Sequence, residues 1–282
     1  VLTLTSAGLT VDLLDPSAHR PRLGHRYCWG GYIWQVTDRS AGPLLAGPEW
    51  PEPEPDAFNG QGLPEAFRHR DTTGAPLLWR GEAGLAPGAG LLGRDAAGAT
   101  IVTEPCAWEI EYRSESLRFA TTQSALGWSY RLVRTIELQD RRLISRTLYT
   151  NLGEEPLVHE WFAHPFFALG RDGRSTLLLP EGTALDDNPG YALSGRQLTF
   201  KRAFSGKDDG HLERPRLPPG TPLVAEISHP RLRHLRFTTS FAPSHCVLWA
   251  NGNTVSLEPF LQLALSPGET REWSLTYDFI NL

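Results

Sequence analysis

Short runs of alternating, β-branched and aromatic residues, each ended by glycine, proline or a polar turn, recur along almost the whole chain. They include LTVDLL (9–14), YIWQVT (32–37), AWEIEYR (107–113), LRFATTQ (117–123), WSYRLVRTIEL (128–138), RLISRTLYTN (142–151), LRFTTSF (235–241) and EWSLTYDF (272–279). Alternation turns one face of such a run toward a core and the other toward water, and branched or aromatic side chains suit a pleated surface. LQDRR (138–142) reads as a hairpin turn and TNLGEEP (150–156) as a tight connection. No stretch of ten or more residues carries a helical period. The layers must therefore be sheets, and the predicted class is all-β, a sandwich or barrel.

With 282 residues the chain can fill one large β domain or two ordinary ones. Neither an internal repeat nor a clear linker divides it, so one domain over residues 1–282 is expected. Two segments interrupt the strand pattern: GPLLAGPEWPEPEPDAFNGQGLPEAF (42–67) and GEAGLAPGAGLLG (81–93). Each reads either as surface connection or as the kind of long loop that builds a ligand site on a rigid sheet.

The formal charge is −5, the pI is about 6.0, and basic residues are scattered rather than striped. Nothing there matches the phosphate backbone, so nucleic acid is not an expected partner. No apolar run approaches the roughly 20 residues that cross a bilayer, and no charged-then-apolar leader opens the chain. No membrane partner is expected. The three cysteines, Cys28, Cys106 and Cys246, are far apart and form no CxxC pair. They make neither a disulfide framework nor a zinc or redox motif, and a reducing cytoplasmic setting is expected.

HEWFAHPFFAL (159–169) holds His159, Glu160 and His164. A zinc helix needs histidines four apart, on one face. Here they are five apart on a strand-like segment and point to opposite faces; no metal is expected. Pro165 cannot continue a central ladder, which places His164 where the chain leaves the sheet. There it is either a core histidine with one hydrogen bond or a catalytic group whose charged form is disfavoured by burial. Glu258 lies in an alternating apolar run, where a carboxylate needs a partner or a task, and Pro259 is expected to end that strand. A histidine before one proline and a glutamate before another make a plausible acid–base pair. There is no GxSxG nucleophile elbow and no phosphate-binding glycine loop in the required context. Asp186–Asp187 or Asp208–Asp209 could supply a glycosidase carboxylate, although paired acids in loops are usually just solvated.

YRLVRTIELQDRRLISRTLYTNLGEEPLVHEWFAHPFFAL (130–169) and VSLEPFLQLALSPGETREWSLTYDF (255–279) together resemble the galactose mutarotase-like, or aldose 1-epimerase, family. The first matches its hairpin strands leading to a histidine and an aromatic pair. The second matches its glutamate before proline, its proline–glycine turn and its last strand. The resemblance implies a β-supersandwich of large twisted antiparallel sheets that interconverts aldose anomers without a cofactor. Glu258 would take the proton of the C1 hydroxyl, and His164 would protonate the ring oxygen so that the C1–O5 bond opens. If the two face each other across one solvent-open cleft, about a monosaccharide ring apart, the enzyme reading gains; if either is buried in separate packing, the core-residue reading wins.

The family carries a further histidine and a sugar-gripping arginine in its first half. Asn59, Gln61, Glu65, Arg68, His69 and Arg70 are the candidate sugar contacts there, with Asp208 or Asp209 from the second half. The implied ligand is a monosaccharide or a sugar phosphate, and Arg68, Arg70, Lys201 and Arg202 are cations that could meet a phosphate. Nine tryptophans and seven tyrosines could also stack on sugar faces. That leaves a second reading open, a carbohydrate-binding or regulatory protein on the same scaffold without catalysis.

Overall fold

The computed structural model of the protein describes residues 1–50, 56–70, 75, 77–170 and 172–281. The middle of the acidic, proline-rich segment (51–55) and Asp71 lie outside the described residues. Among the described residues the strands pair antiparallel into sheets of ten, six, four and four, and helix is confined to Arg20–Leu23. None of the helical structure is long and apolar enough to cross a membrane.

The ten-stranded sheet begins with three consecutive hairpins, Glu109–Tyr112, Ser116–Ala125, Trp128–Gln139 and Arg142–Asn151. The last of these strands pairs with the C-terminal strand Thr270–Ile280, and His234–Thr239 follows beside it. All six runs singled out by alternation from residue 107 onward are strands of this sheet. LQDRR forms its hairpin turn with Asp140 in the left-handed region, at φ 51, a conformation aspartate tolerates better than most residues. LTVDLL and YIWQVT become Leu9–Leu13 and Ile33–Asp38 in one four-stranded sheet.

The glycine- and alanine-rich segment 81–93 is not a loop. Ala83–Ala86 and Gly90–Arg94 form a hairpin in the other four-stranded sheet. Its small residues permit close approach: a Cβ on Gly88 would lie 2.5 Å from the Cys28 sulfur. Lack of bulk, which reads as a turn in sequence, here serves packing.

The six-stranded sheet runs His211–Glu213, His245–Ala250, Thr254–Leu265, Leu157–Ala163 and Glu65–Phe67, with Phe167–Ala168 also pairing to the Thr254–Leu265 strand. One face packs on the ten-stranded sheet. Phe67 lies against Tyr149 and Trp273, and Phe167 against Phe237 and Tyr277. A buried ion pair joins the same two sheets: the Arg134 guanidinium donates to Glu65 and to the Ser145 hydroxyl, and Ser145 donates to Glu65. The first eight residues of Thr254–Leu265 are buried, so this strand is covered on both faces. Its upper face is the floor of a cleft.

Pro259 does not end that strand, as expected from sequence, but lies inside it, opposite Cys246. The Phe260 carbonyl accepts from the amide of Ser244, just before the neighbouring strand His245–Ala250, so the Pro259 nitrogen points to the other side. On that side the ladder holds Thr254–Val255 and then Phe260–Leu265, with nothing paired between. A proline therefore sits where no donor is required.

Candidate active site

The interruption in the ladder creates the site. Phe162 pairs with Phe260 before the break, and Phe167 pairs with Val255 after it. Counting inward from either pairing sets His164 opposite Glu258. The strand leaves the ladder at Ala163, with Pro165 in the break, and resumes at Phe167. His164 keeps its place because its amide donates to the Pro64 carbonyl and that of Phe166 to Gly62. Directly opposed residues in an opened antiparallel ladder bring their side chains together.

Nε2 of His164 lies 3.5 Å from Oε1 of Glu258. The two groups face each other in one cleft and are in contact, closer than a sugar ring's width. Nδ1 of His164 is 2.9 Å from the Ser256 hydroxyl, and the ring stacks on Phe166 with 4.4 Å between centroids. An Arg26 guanidinium nitrogen stands 3.4 Å from Nε2. This arginine also donates to the Phe58 carbonyl and lies over the Tyr27 ring.

Burial dominates the electrostatics. Removal from water pushes Glu258 up to about 8, opposed by the Arg26 charge and a hydrogen bond from Ser256. Burial, helped by Arg26, holds His164 well below its ordinary value. Both shifts disfavour the charged forms. At neutral pH the pair then holds one readily transferred proton and one free imidazole lone pair, which is the equipment of paired general acid–base chemistry.

Three cross-strand rows pave the floor: Trp249 beside Ser256, Val247 beside Glu258, and His245 beside Phe260 and Phe162. The last row is stacked, with Phe162 and Phe260 4.6 Å apart and His245 and Phe260 4.1 Å apart. Pro48, Glu49, Asn59, Lys207, Asp208 and Arg214 line the sides of the cleft, with Asn251 donating to both the Pro48 and Lys207 carbonyls. The enclosed volume is about 550 Å³, within the usual range for small-molecule sites.

The other sequence candidates divide. Asn59, Arg68 and Asp208 line the cleft. Asn59 donates to Glu49, and Arg68 is held by Glu160 at 2.8 Å. His69 and Arg70 face a neighbouring cavity beyond Arg26 and Arg68, where His69 meets His25 at 3.2 Å. Gln61 and Glu65 are turned inward. Gln61 bonds the backbone of Gly47 and Trp34, and Glu65 is held by Arg134, so neither reaches a ligand in the cleft. Asp209 is engaged by Arg202 and by the Ser205 amide, outside the cleft. Lys201 is bonded to Asp187, and Asp186 to Arg216. His159 points to the interior, against Phe67 and Tyr149. Among the described residues no group of three or more His, Cys, Asp and Glu could hold a metal ion.

Sequence reasoning missed Arg26, Ser256 and Arg214. Ser256 was findable, since residues two apart on a strand share a face and Glu258 was already singled out. Arg26 and Arg214 come from irregular segments that carry no periodic signal.

No protein-family model and no curated protein matches the sequence. Solved structures do. The chain is similar to a galactose mutarotase-like protein from Lactobacillus casei, with 15% identity over 98% of this chain and 99% of that one and a TM-score of 0.62. It is also similar to a galactose mutarotase related enzyme from Lactobacillus acidophilus, at 16% identity over 100% and 99% and a TM-score of 0.58. An aldose epimerase homologue from C. elegans matches at 14% identity over 100% and 98%, with a TM-score of 0.57. At such identities the likeness is one of architecture. The chain has the galactose mutarotase-like fold.

Proposed function

We propose that the cleft interconverts the anomers of an aldose by paired proton transfer. The observation that carries this reading is the direct opposition of His164 and Glu258 on the cleft floor, 3.5 Å apart. Opening a cyclic hemiacetal removes the proton of the C1 hydroxyl and delivers a proton to the ring oxygen. Both oxygens are bonded to the same carbon, so an acid and a base side by side on the cleft floor can serve them together. Glu258 takes the hydroxyl proton as the C1 carbonyl forms and the C1–O5 bond breaks, while His164 gives its proton to O5. Rotation about C1–C2 and reversal of the two transfers yields the other anomer. The neutral pair favoured by burial becomes the reactive charged pair by moving one proton between the two groups, so burial hides no proton from the reaction.

Arg26, beside both groups, is placed to bind a sugar oxygen, and the rings of Phe162, Phe260 and Trp249 offer apolar surface to the sugar's C–H faces. Arg26, Arg68, Lys207 and Arg214 all line the cleft of a chain whose net charge is −5. Glu49 and Asp208 share the lining and Arg68 is paired with Glu160, so Arg26 and Arg214 are the cations that support an aldose bearing an anionic substituent, such as a sugar phosphate, within the same reaction class. The test is anomer exchange by saturation-transfer NMR across a panel of neutral aldoses, their 6-phosphates and uronic acids. Protein-dependent acceleration is expected on at least one member. Binding by calorimetry with exchange left at the buffer rate would instead assign the cleft to carbohydrate recognition.

A further inference from the structure

Ser256 and Glu258 are two residues apart on one strand, so their side chains leave the same face of the sheet. The serine side chain is fully buried and its hydroxyl lies 2.9 Å from Nδ1 of His164. The direction of that bond follows from the partners. A neutral imidazole carries one N–H, so the role of Nδ1 is set by the contact of Nε2. Nε2 meets an Arg26 nitrogen at 3.4 Å, and a guanidinium has donors but no acceptor. Nε2 must offer a lone pair to it. Stacking on Phe166 and the edge of Tyr27 hold the ring plane.

We propose that Ser256 is a positioning residue that accepts the Nδ1–H bond of His164 and so fixes the imidazole tautomer, leaving Nε2 as the nitrogen that exchanges a proton at the sugar. Which ring nitrogen carries the proton is set by the bond the other makes. With Nδ1 held by serine, the free lone pair points at Glu258 and into the cleft. Without the serine, the proton can move to Nε2, and the lone pair then faces the protein instead of the cleft. One strand face thus carries both the base and the group that orients the acid. The catalytic consequence rests on the acid–base reading above; the tautomer does not.

The test uses the intact ¹⁵N-labelled protein and long-range ¹H–¹⁵N correlation of the His164 ring, alongside anomer-exchange kinetics. The native protein is expected to show a protonated Nδ1 and an unprotonated Nε2. Ser256→Ala is expected to shift the ring toward the Nε2–H form. It should also lower kcat about tenfold or more, a share of the roughly 10²–10⁴ that general acid–base groups supply, with KM changed less than about twofold. Ser256→Thr, which keeps the hydroxyl, is expected to restore the native ring signals and most of kcat. Native ring signals in Ser256→Ala overturn the proposal, as does an Nε2–H tautomer in the native protein. A tautomer shift in a protein that accelerates no anomer exchange sustains the positioning role and removes the mutarotase reading, so the two failures are distinct.

Discussion

His159 and His164 are five residues apart and have opposite surroundings, because successive side chains of a strand alternate between faces. His164 meets Ser256, Arg26 and Glu258 in the cleft, while His159 is sealed between Phe67 and Tyr149 with no hydrogen-bond partner for either ring nitrogen. Burial pushes His159 down to about 3 from its ordinary 6.5. A base with a depressed folded-state pKa contributes full stability above its unfolded value and loses it as pH falls toward the folded one. The fold is therefore expected to weaken from about pH 6.5 toward pH 3, with His69 and His164, lowered in the same direction, adding to the trend. His159→Leu removes one of these contributions. Its urea midpoint should gain on that of the native protein as pH is lowered from about 7 to about 4; a constant difference would show that His159 does not titrate with unfolding. The alternation that separates the two histidines is legible in the sequence. The inward turn of Glu65 and Gln61 is not, since a polar side chain beside a cleft and one bonded beneath it have the same spelling.

At the scale of elements, the legible strands are those with one wet face. The hairpins of the ten-stranded sheet alternate and were located nearly residue for residue. The Thr254–Leu265 strand is buried on both faces over its first eight residues, so its alternation fades there, and its proline suggests an end where the strand continues. Pro165 and Pro259 make sense only together, as facing interruptions in one ladder whose register is the same on both sides. That register, and with it the meeting of His164 and Glu258, belongs to strand pairing and cannot be read from either strand alone. The other cross-sheet device is the Arg134–Glu65 pair, in which neither side chain is more than 1% exposed. Removing one partner of a buried pair leaves an uncompensated charge, at a cost of about 3–5 kcal/mol. Arg134→Met is expected to lose stability on that scale in urea titration, with much of the loss recovered in Arg134→Met/Glu65→Leu. Equal losses in the single and double variants would contradict a coupled pair.

For the whole molecule, residue pattern and architecture point the same way although identity to the matching structures is 14–16%. A sheet face needs only alternation and a filled interior, which many sequences supply, and the fold is accordingly legible where the ligand is not. The cleft is assembled from distant parts: Arg26 and Asn59 from the first-half segments, Lys207 and Arg214 from the second, and the acid–base pair from two facing strands. Its chemistry depends on the central claim that Glu258 and His164 exchange protons with one substrate. The most direct measurement is the anomer-exchange rate on the best sugar of the panel, compared between the native protein and Glu258→Gln, with calorimetric affinity measured in parallel. Glutamine preserves shape but cannot shuttle a proton, so exchange should fall by about 10²–10⁴ while sugar affinity stays near native. Exchange at the native rate in Glu258→Gln would contradict the account.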